Sequence, residues 1–194
     1  VAKTKKLVAL AHKKKISVEA ELGAIAGIED FVSVESRNTH LTDPAQARAF
    51  AEATGCDALA IAIGTSHGAY KFSETSNLDF KRLEHIRHEV KIPLVLHGAS
   101  GIPESIKKTC IAYGCKIEHA KGVSDTHIKR AIKLGVNKIN IDSDLRIAFD
   151  AGVRQFLAEN PEVIDPRKIL SCAKELITQV VEQKMRLFGC AKRT

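Results

Sequence analysis

Four short segments, residues 16–22, 58–63, 93–96 and 136–141, read as strands, and each runs into polar sequence and then into a helical pattern. Ile16 to Leu22 alternates, which puts Glu19 and Glu21 on one face. Ala58 to Ile63 is apolar at every position, as a strand buried on both faces must be. Strands recurring every 30–45 residues with a helix between them call for parallel pairing, since an antiparallel hairpin closes within a few residues. The fold class is therefore α/β.

Helical patterns occupy residues 2–14, 44–54, 79–90, 103–113, 124–134, 143–158 and 166–187. In the first, Leu7, Val8, Leu10 and Ala11 form an apolar stripe and lysines take the other face. Thr42, Asp43 and Pro44 supply capping chemistry for the second, which ends before Gly55. Residues 23–41 lack clean periodicity and are expected to form a long loop bracketed by Gly23 and Gly27, and the residues after Gly189 a frayed tail. Polar, glycine-rich sequence gathers at the C-terminal ends of the strands, where a (β/α)8 barrel keeps its functional residues. A doubly wound sheet is the alternative, but it would want a glycine-rich phosphate loop after its first strand, and none is present. The expected architecture is a partial TIM barrel, with residues 1–194 as one domain.

Composition narrows the function classes. Lys and Arg number 30 against 23 Asp and Glu, a net charge of +7. Six lysines (3, 5, 6, 13, 14 and 15) fall in residues 1–15 with no acid among them, so the rest of the chain is nearly balanced. That distribution describes one solvated helix face and does not call for nucleic acid as a partner. No apolar stretch approaches the roughly 20 residues of a membrane span, and no signal pattern follows Val1. Five cysteines, without a C-x-x-C pair, point to a reducing cytoplasm, and Cys110 and Cys115 are expected to be helix-face thiols.

The candidate chemistry lies after the strands. His67 and His97 each follow a buried strand and each precede a glycine (Gly68, Gly98), thirty residues apart. In a barrel this places two imidazoles at neighbouring strand ends, an arrangement that suits zinc. A histidine there can equally cap a loop, but the doubled His-Gly pattern favours the metal reading. Gly64 to Gly68, Gly98 to Gly101, and Asn140 to Ser143 lie between a strand and a helix, where free N–H groups and the helix dipole favour a phosphate. Helix caps look the same singly; three together favour a phosphorylated substrate. Glu29, in a glycine-containing segment, is an acid/base candidate able to close over substrate, or else a solvated acid. His85 and His88 read as surface residues, and His12, His40, His119 and His127 show no partner pattern.

Val18 to Gly23, Gly64 to Lys71, Leu96 to Gly101 and Lys138 to Arg146 together resemble the class II, zinc-dependent fructose-bisphosphate aldolases, over essentially all 194 residues. The resemblance implies the C-terminal strands and helices of a (β/α)8 barrel in a dimeric or tetrameric enzyme. It implies reversible cleavage of fructose 1,6-bisphosphate into dihydroxyacetone phosphate and glyceraldehyde 3-phosphate, a step of glycolysis and gluconeogenesis. It makes His67 and His97 zinc ligands, with Glu21 as an alternative ligand or a close neighbour of the metal. It assigns substrate binding to Gly68, Lys71, Gly98, Ala99, Ser100, Asn140, Ile141, Asp142 and Ser143, and expects a monovalent cation (Na+ or K+) near Gly68, Gly98 and Ser100. Glu29 becomes the loop acid/base, and Arg146 and Arg167 the arginines that reach a substrate phosphate, one of them able to do so across a subunit interface. Tagatose-bisphosphate aldolases are close relatives within the family; Lys71 and the length of the segment between Ser100 and Asn137 favour the fructose substrate.

Members of the family also carry an Asp-His pair on an early strand, the Asp as proton-transferring base and the His as third zinc ligand. No such pair occurs in these 194 residues. By the resemblance the chain starts in the helix after that strand, with about a third of the enzyme before it. The 194 residues alone are expected to hold zinc weakly and to turn substrate over slowly or not at all; the alternative reading is a non-catalytic module that keeps sugar-phosphate or metal binding.

Overall fold

The computed structural model describes residues 1–29, 32–34, 40–67 and 78–191, with the backbone alone for 26–29, 32–34 and 67. Its strands are β1 (Glu19–Leu22), β2 (Ala26–Glu29), β3 (Val32–Val34), β4 (Ala58–Ile61), β5 (Ser66–His67), β6 (Leu94–Leu96) and β7 (Val136–Ile139). Its helices are α1 (Ala2–His12), α2 (Pro44–Thr54), α3 (Phe80–Glu89), α4 (Glu104–Ala112), α5 (Asp125–Lys133), α6 (Ser143–Glu159) and α7 (Pro166–Phe188). These residues fall into two compact units: the described residues up to 67 with 78–99 and 130–140, and residues 100–129 with 141–191. No helix among them is long and apolar enough to cross a membrane.

Local chemistry sets the helix starts. The Asp43 carboxylate accepts the Gln46 N–H at 2.9 Å, ahead of Pro44 at the first helical position of α2. Asp79 does the same for α3, accepting the Arg82 N–H at 2.9 Å. Asp165 caps α7 by accepting the Arg167 N–H at 2.9 Å, again before a proline.

In the first unit β1, β4, β6 and β7 form a parallel sheet in that order. The order rises steadily along the sequence with no reversal, as in a barrel wall, whereas a doubly wound sheet reverses direction at a switch point. The expected α/β class and partial-barrel strand order are both present. Leu59, Ala60, Ile61 and all of β6 are fully buried, which is why these strands read as continuous apolar runs. At the end of the β1–β4 pair the buried Thr42 hydroxyl donates to the Leu22 carbonyl (2.5 Å) and accepts the Ala62 N–H (2.8 Å), tying the strand ends together. In the second unit Ile102, Ile106, Cys110, Ile147, Ala148, Ala151 and Val180 bring α4, α6 and α7 into one apolar cluster.

Two expectations need correction. Residues 26–29 and 32–34, expected within a long loop, pair as antiparallel strands β2 and β3, and β2 also pairs in parallel with β5. Periodicity misses them because these short strands are defined by their pairing with one another and with β5. In α1, Val8 is buried but Leu7 and Leu10 are 61% and 51% exposed, so the apolar stripe is not one buried face.

Candidate active site

Glu19 and Glu21 stand two residues apart on β1 and so share a face. Glu21 is in register with Ala60 of β4, and Ala60 with Val95 of β6. His97 lies two residues past Val95, on the same side. The intervening β4 offers only Ala58 and Ala60 on that side, which leaves room for long side chains to meet above it. They do meet. His97 Nδ1 is 2.9 Å from Glu21 Oε2, and His97 Nε2 is 3.0 Å from Glu19 Oε1.

Lys138 completes the row. A register shift between β6 and β7 leaves Asn137 unpaired in the ladder, with its side-chain oxygen accepting the Leu94 N–H at 3.1 Å. The shift sets Lys138 opposite Val95, and its ammonium lies 2.8 Å from Glu19 Oε2. The Glu21 hydrogen bond, reinforced by Glu19, outweighs burial and raises the His97 pKa above its ordinary value. The Glu19 carboxyl is held low by Lys138 and His97 against the effect of its burial. An imidazole beside a carboxylate is a donor pair that zinc accepts, so His97 and Glu21 fit the implied metal as part of its ligand set.

His67 is the last residue of β5, and its neighbour Ser66 packs directly on Gly98. Gly98 has φ +60°, and a Cβ there would stand 2.7 Å from the Ser66 carbonyl oxygen. Only glycine allows that conformation and that approach together. Ser66, which precedes His67, and Gly98, which follows His97, are thus adjacent along their backbones. Ala99 is buried, and Asn140 donates its N–H to the Leu96 carbonyl at 3.0 Å, extending the sheet by one bond. Glu29 is the last residue of β2, paired with Val32 of β3, and does not sit in a structureless loop. Gly68 and Lys71 lie outside the described residues.

In the second unit Ser100 is buried, its hydroxyl accepts the Asp142 N–H at 3.2 Å, and its carbonyl accepts the Val123 N–H at 2.9 Å. Ile141 is half-buried, and Ser143 is buried at the first position of α6. The fully buried Asp144 carboxylate accepts the Gly101 N–H at 3.1 Å and the Ile102 N–H at 2.5 Å. Ile102, a β-branched residue, is held at φ +49°, a conformation of order 1–3 kcal/mol uphill that persists only where surrounding bonds impose it. Behind this turn the buried Lys184 of α7 lies 3.5 Å from Asp144, and a Cβ on Gly101 would stand 2.7 Å from the Lys184 ammonium.

The two arginines are occupied locally. Arg146 pairs with Asp142 at 2.7 Å one turn earlier, and Arg167 grips its own cap Asp165 at 2.8 Å. Both are exposed. The motifs do not single out Glu19, Lys138, Asp144 or Lys184. Glu19 was signalled only by its alternation with Glu21, Asp144 by its place beside Ser143, and Lys184 by nothing local.

Comparison with known proteins identifies the family. Residues 1–193 match the family described as class-II fructose-bisphosphate aldolase. A fructose-bisphosphate aldolase of Thermus caldophilus is 49% identical over 193 residues, covering 100% of this chain and 63% of that protein. One from Helicobacter pylori is 44% identical over 190 residues, covering 98% and 62%. The crystal structure of the YdjI aldolase from Escherichia coli K12 superposes with a TM-score of 0.66 at 34% identity, covering 96% of this chain and 53% of that one. The chain thus spans somewhat over half the length of the proteins it matches. It belongs to the class II fructose-bisphosphate aldolase family.

Proposed function

We propose that this chain forms part of a zinc-dependent aldolase, a lyase that cleaves fructose 1,6-bisphosphate to dihydroxyacetone phosphate and glyceraldehyde 3-phosphate and runs the reverse condensation in glycolysis and gluconeogenesis. The observation that carries the reading is the close approach of Ser66, beside His67, to Gly98, beside His97, with Glu21 hydrogen-bonded to His97. His67 and His97 would hold the zinc, with Glu21 as neighbour or exchanging ligand. When bound, the metal supplies Lewis-acid polarisation of the substrate ketone.

The chain's own residues bind and orient. Gly68, Lys71, Gly98, Ala99, Ser100 and Asn140 to Ser143 hold the dihydroxyacetone phosphate end through N–H groups and hydroxyls, with Na+ or K+ near Gly68, Gly98 and Ser100. Arg146 and Arg167 exchange their local acids for a substrate phosphate, one of them across a subunit interface of a dimer or tetramer. Glu29 moves a proton at the carbon of dihydroxyacetone phosphate. Residues 1–194 are part of one barrel domain in a cytoplasmic protein whose partner is a phosphorylated sugar.

The test is aldol cleavage by the full-length protein, loaded with zinc, on fructose 1,6-bisphosphate and on tagatose 1,6-bisphosphate. The expected result is at least tenfold higher kcat/KM for the fructose substrate; equal or reversed values overturn that substrate assignment. The 194-residue polypeptide assayed alone is expected to turn over far more slowly, because no Asp-His pair within it supplies the base.

A further inference from the structure

Helix α4 ends in a tight reversal. Gly114 takes φ +88°, and the Cys115 N–H returns to the Cys110 carbonyl at 3.0 Å. The turn folds Cys115 back over the last turn of its own helix and sets its sulfur beside that of Cys110. Sequence spacing alone offers two sulfurs and no third ligand. The fold supplies one from another helix: Asp150, in the middle of α6, faces the pair, and Cys110 Sγ lies 3.3 Å from Asp150 Oδ2. The Cys110 and Cys115 sulfurs and an Asp150 oxygen all lie within 4.8 Å of one another, the one three-ligand group found among the described residues.

From these contacts we infer that Cys110, Cys115 and Asp150 form a second metal site, separate from His67 and His97, for a thiolate-seeking divalent cation such as Zn2+.

Three features support the assignment. Ideal metal–ligand lengths of about 2.3 Å to sulfur and 2.1 Å to oxygen put tetrahedral S···O neighbours about 3.6 Å apart, so the observed 3.3 Å needs only a small adjustment. The charges balance: a divalent cation, two thiolates, the Asp150 carboxylate and the Arg154 guanidinium, 2.7 Å from that carboxylate, sum to zero. Burial, then Cys115 and Asp150, push the Cys110 thiol far above its ordinary pKa, so a bound cation has to displace that proton and binds more tightly as pH rises. Cys110 is fully buried and Cys115 and Asp150 are partly exposed, so water can take the fourth position. A bound ion would join the end of α4 to the centre of α6.

The test is titration of the full-length protein with Co2+, kept reduced with a phosphine. Thiolate-to-cobalt charge-transfer absorption reports sulfur ligation alone, so the histidine centre does not contribute. The expected result is a band whose full intensity corresponds to one cobalt per chain at this site, equally intense at saturation in His97→Ala and lost in Cys115→Ser. Asp150→Asn, which keeps both sulfurs, should retain the band but weaken Co2+ binding at least tenfold. Cys115→Ser should leave aldol cleavage by the zinc-loaded protein unchanged. Absence of the band, its persistence in Cys115→Ser (ligation by Cys56, Cys172 or Cys190), or a Cys110–Cys115 disulfide that survives the reductant would each overturn the site.

Discussion

The Ser66 carbonyl oxygen occupies the position where a side chain at Gly98 would begin, 2.7 Å from a Cβ built there. This contact brings the end of β5, with His67, against the turn after β6, with His97. The residue before His67 and the residue after His97, far apart in sequence, can meet because residue 98 has no side chain.

Gly98→Ala is therefore expected to damage both the fold and the centre. The left-handed conformation costs an alanine ~1–2 kcal/mol, and the backbone clash adds to it. Urea unfolding should show a loss of about 2 kcal/mol or more, and zinc competition should show at least tenfold weaker binding. A variant with unaltered stability and affinity would mean that Ser66 does not press on this position.

Asp79 offers a pH test at the start of α3. The Arg82 N–H, helped by the Arg82 guanidinium, holds the Asp79 carboxyl below its ordinary value against the opposing effect of burial. A depressed carboxylate stabilises the folded state above the unfolded pKa, near 4, and loses that contribution as pH falls through the folded value. Asp79→Ala should cost about 1 kcal/mol at pH 7, and the difference from the parent should shrink steadily below pH 4. A cost independent of pH in chemical denaturation would show that the charged cap is not the cause.

The Asp144–Lys184 pair makes a sharper prediction. Both groups are buried, and Asp144 also fixes the N–H groups of Gly101 and Ile102. Removing one partner leaves a buried charge unbalanced, at a cost of about 3–5 kcal/mol. Asp144→Asn and Lys184→Met should each be strongly destabilising, and the double variant should cost clearly less than the two added together. Additive losses in a double-mutant cycle would mean the two groups do not interact.

Much of this was legible in the sequence because it is local. Alternation placed Glu19 and Glu21 on one face, continuous apolar runs marked β4 and β6, and Asp43 with Pro44 announced α2. Strands β2 and β3 were not legible, since pairing with each other and with β5 creates them. The stripe of α1 misled because hydrophobicity of a helix face does not say what covers it; Val8 is buried while Leu7 stays exposed.

The site divides the same way. His97 and Ser100 carry their signal in the residues beside them. Lys138 reaches Glu19 only through the register shift at Asn137, and Lys184 meets Asp144 from forty residues further along the chain. Cys110 and Cys115 looked inert as a pair because the ligand that completes them, Asp150, belongs to another helix.

The most direct test of the two-histidine centre is zinc content and aldol cleavage measured together on the full-length protein and its His67→Ala and His97→Ala variants, each checked for folding. Each variant is expected to lose bound zinc and at least a thousandfold in kcat, the scale of removing a group that stabilises developing charge. Folded variants that keep both their zinc and their turnover would contradict the assignment of these histidines to the centre.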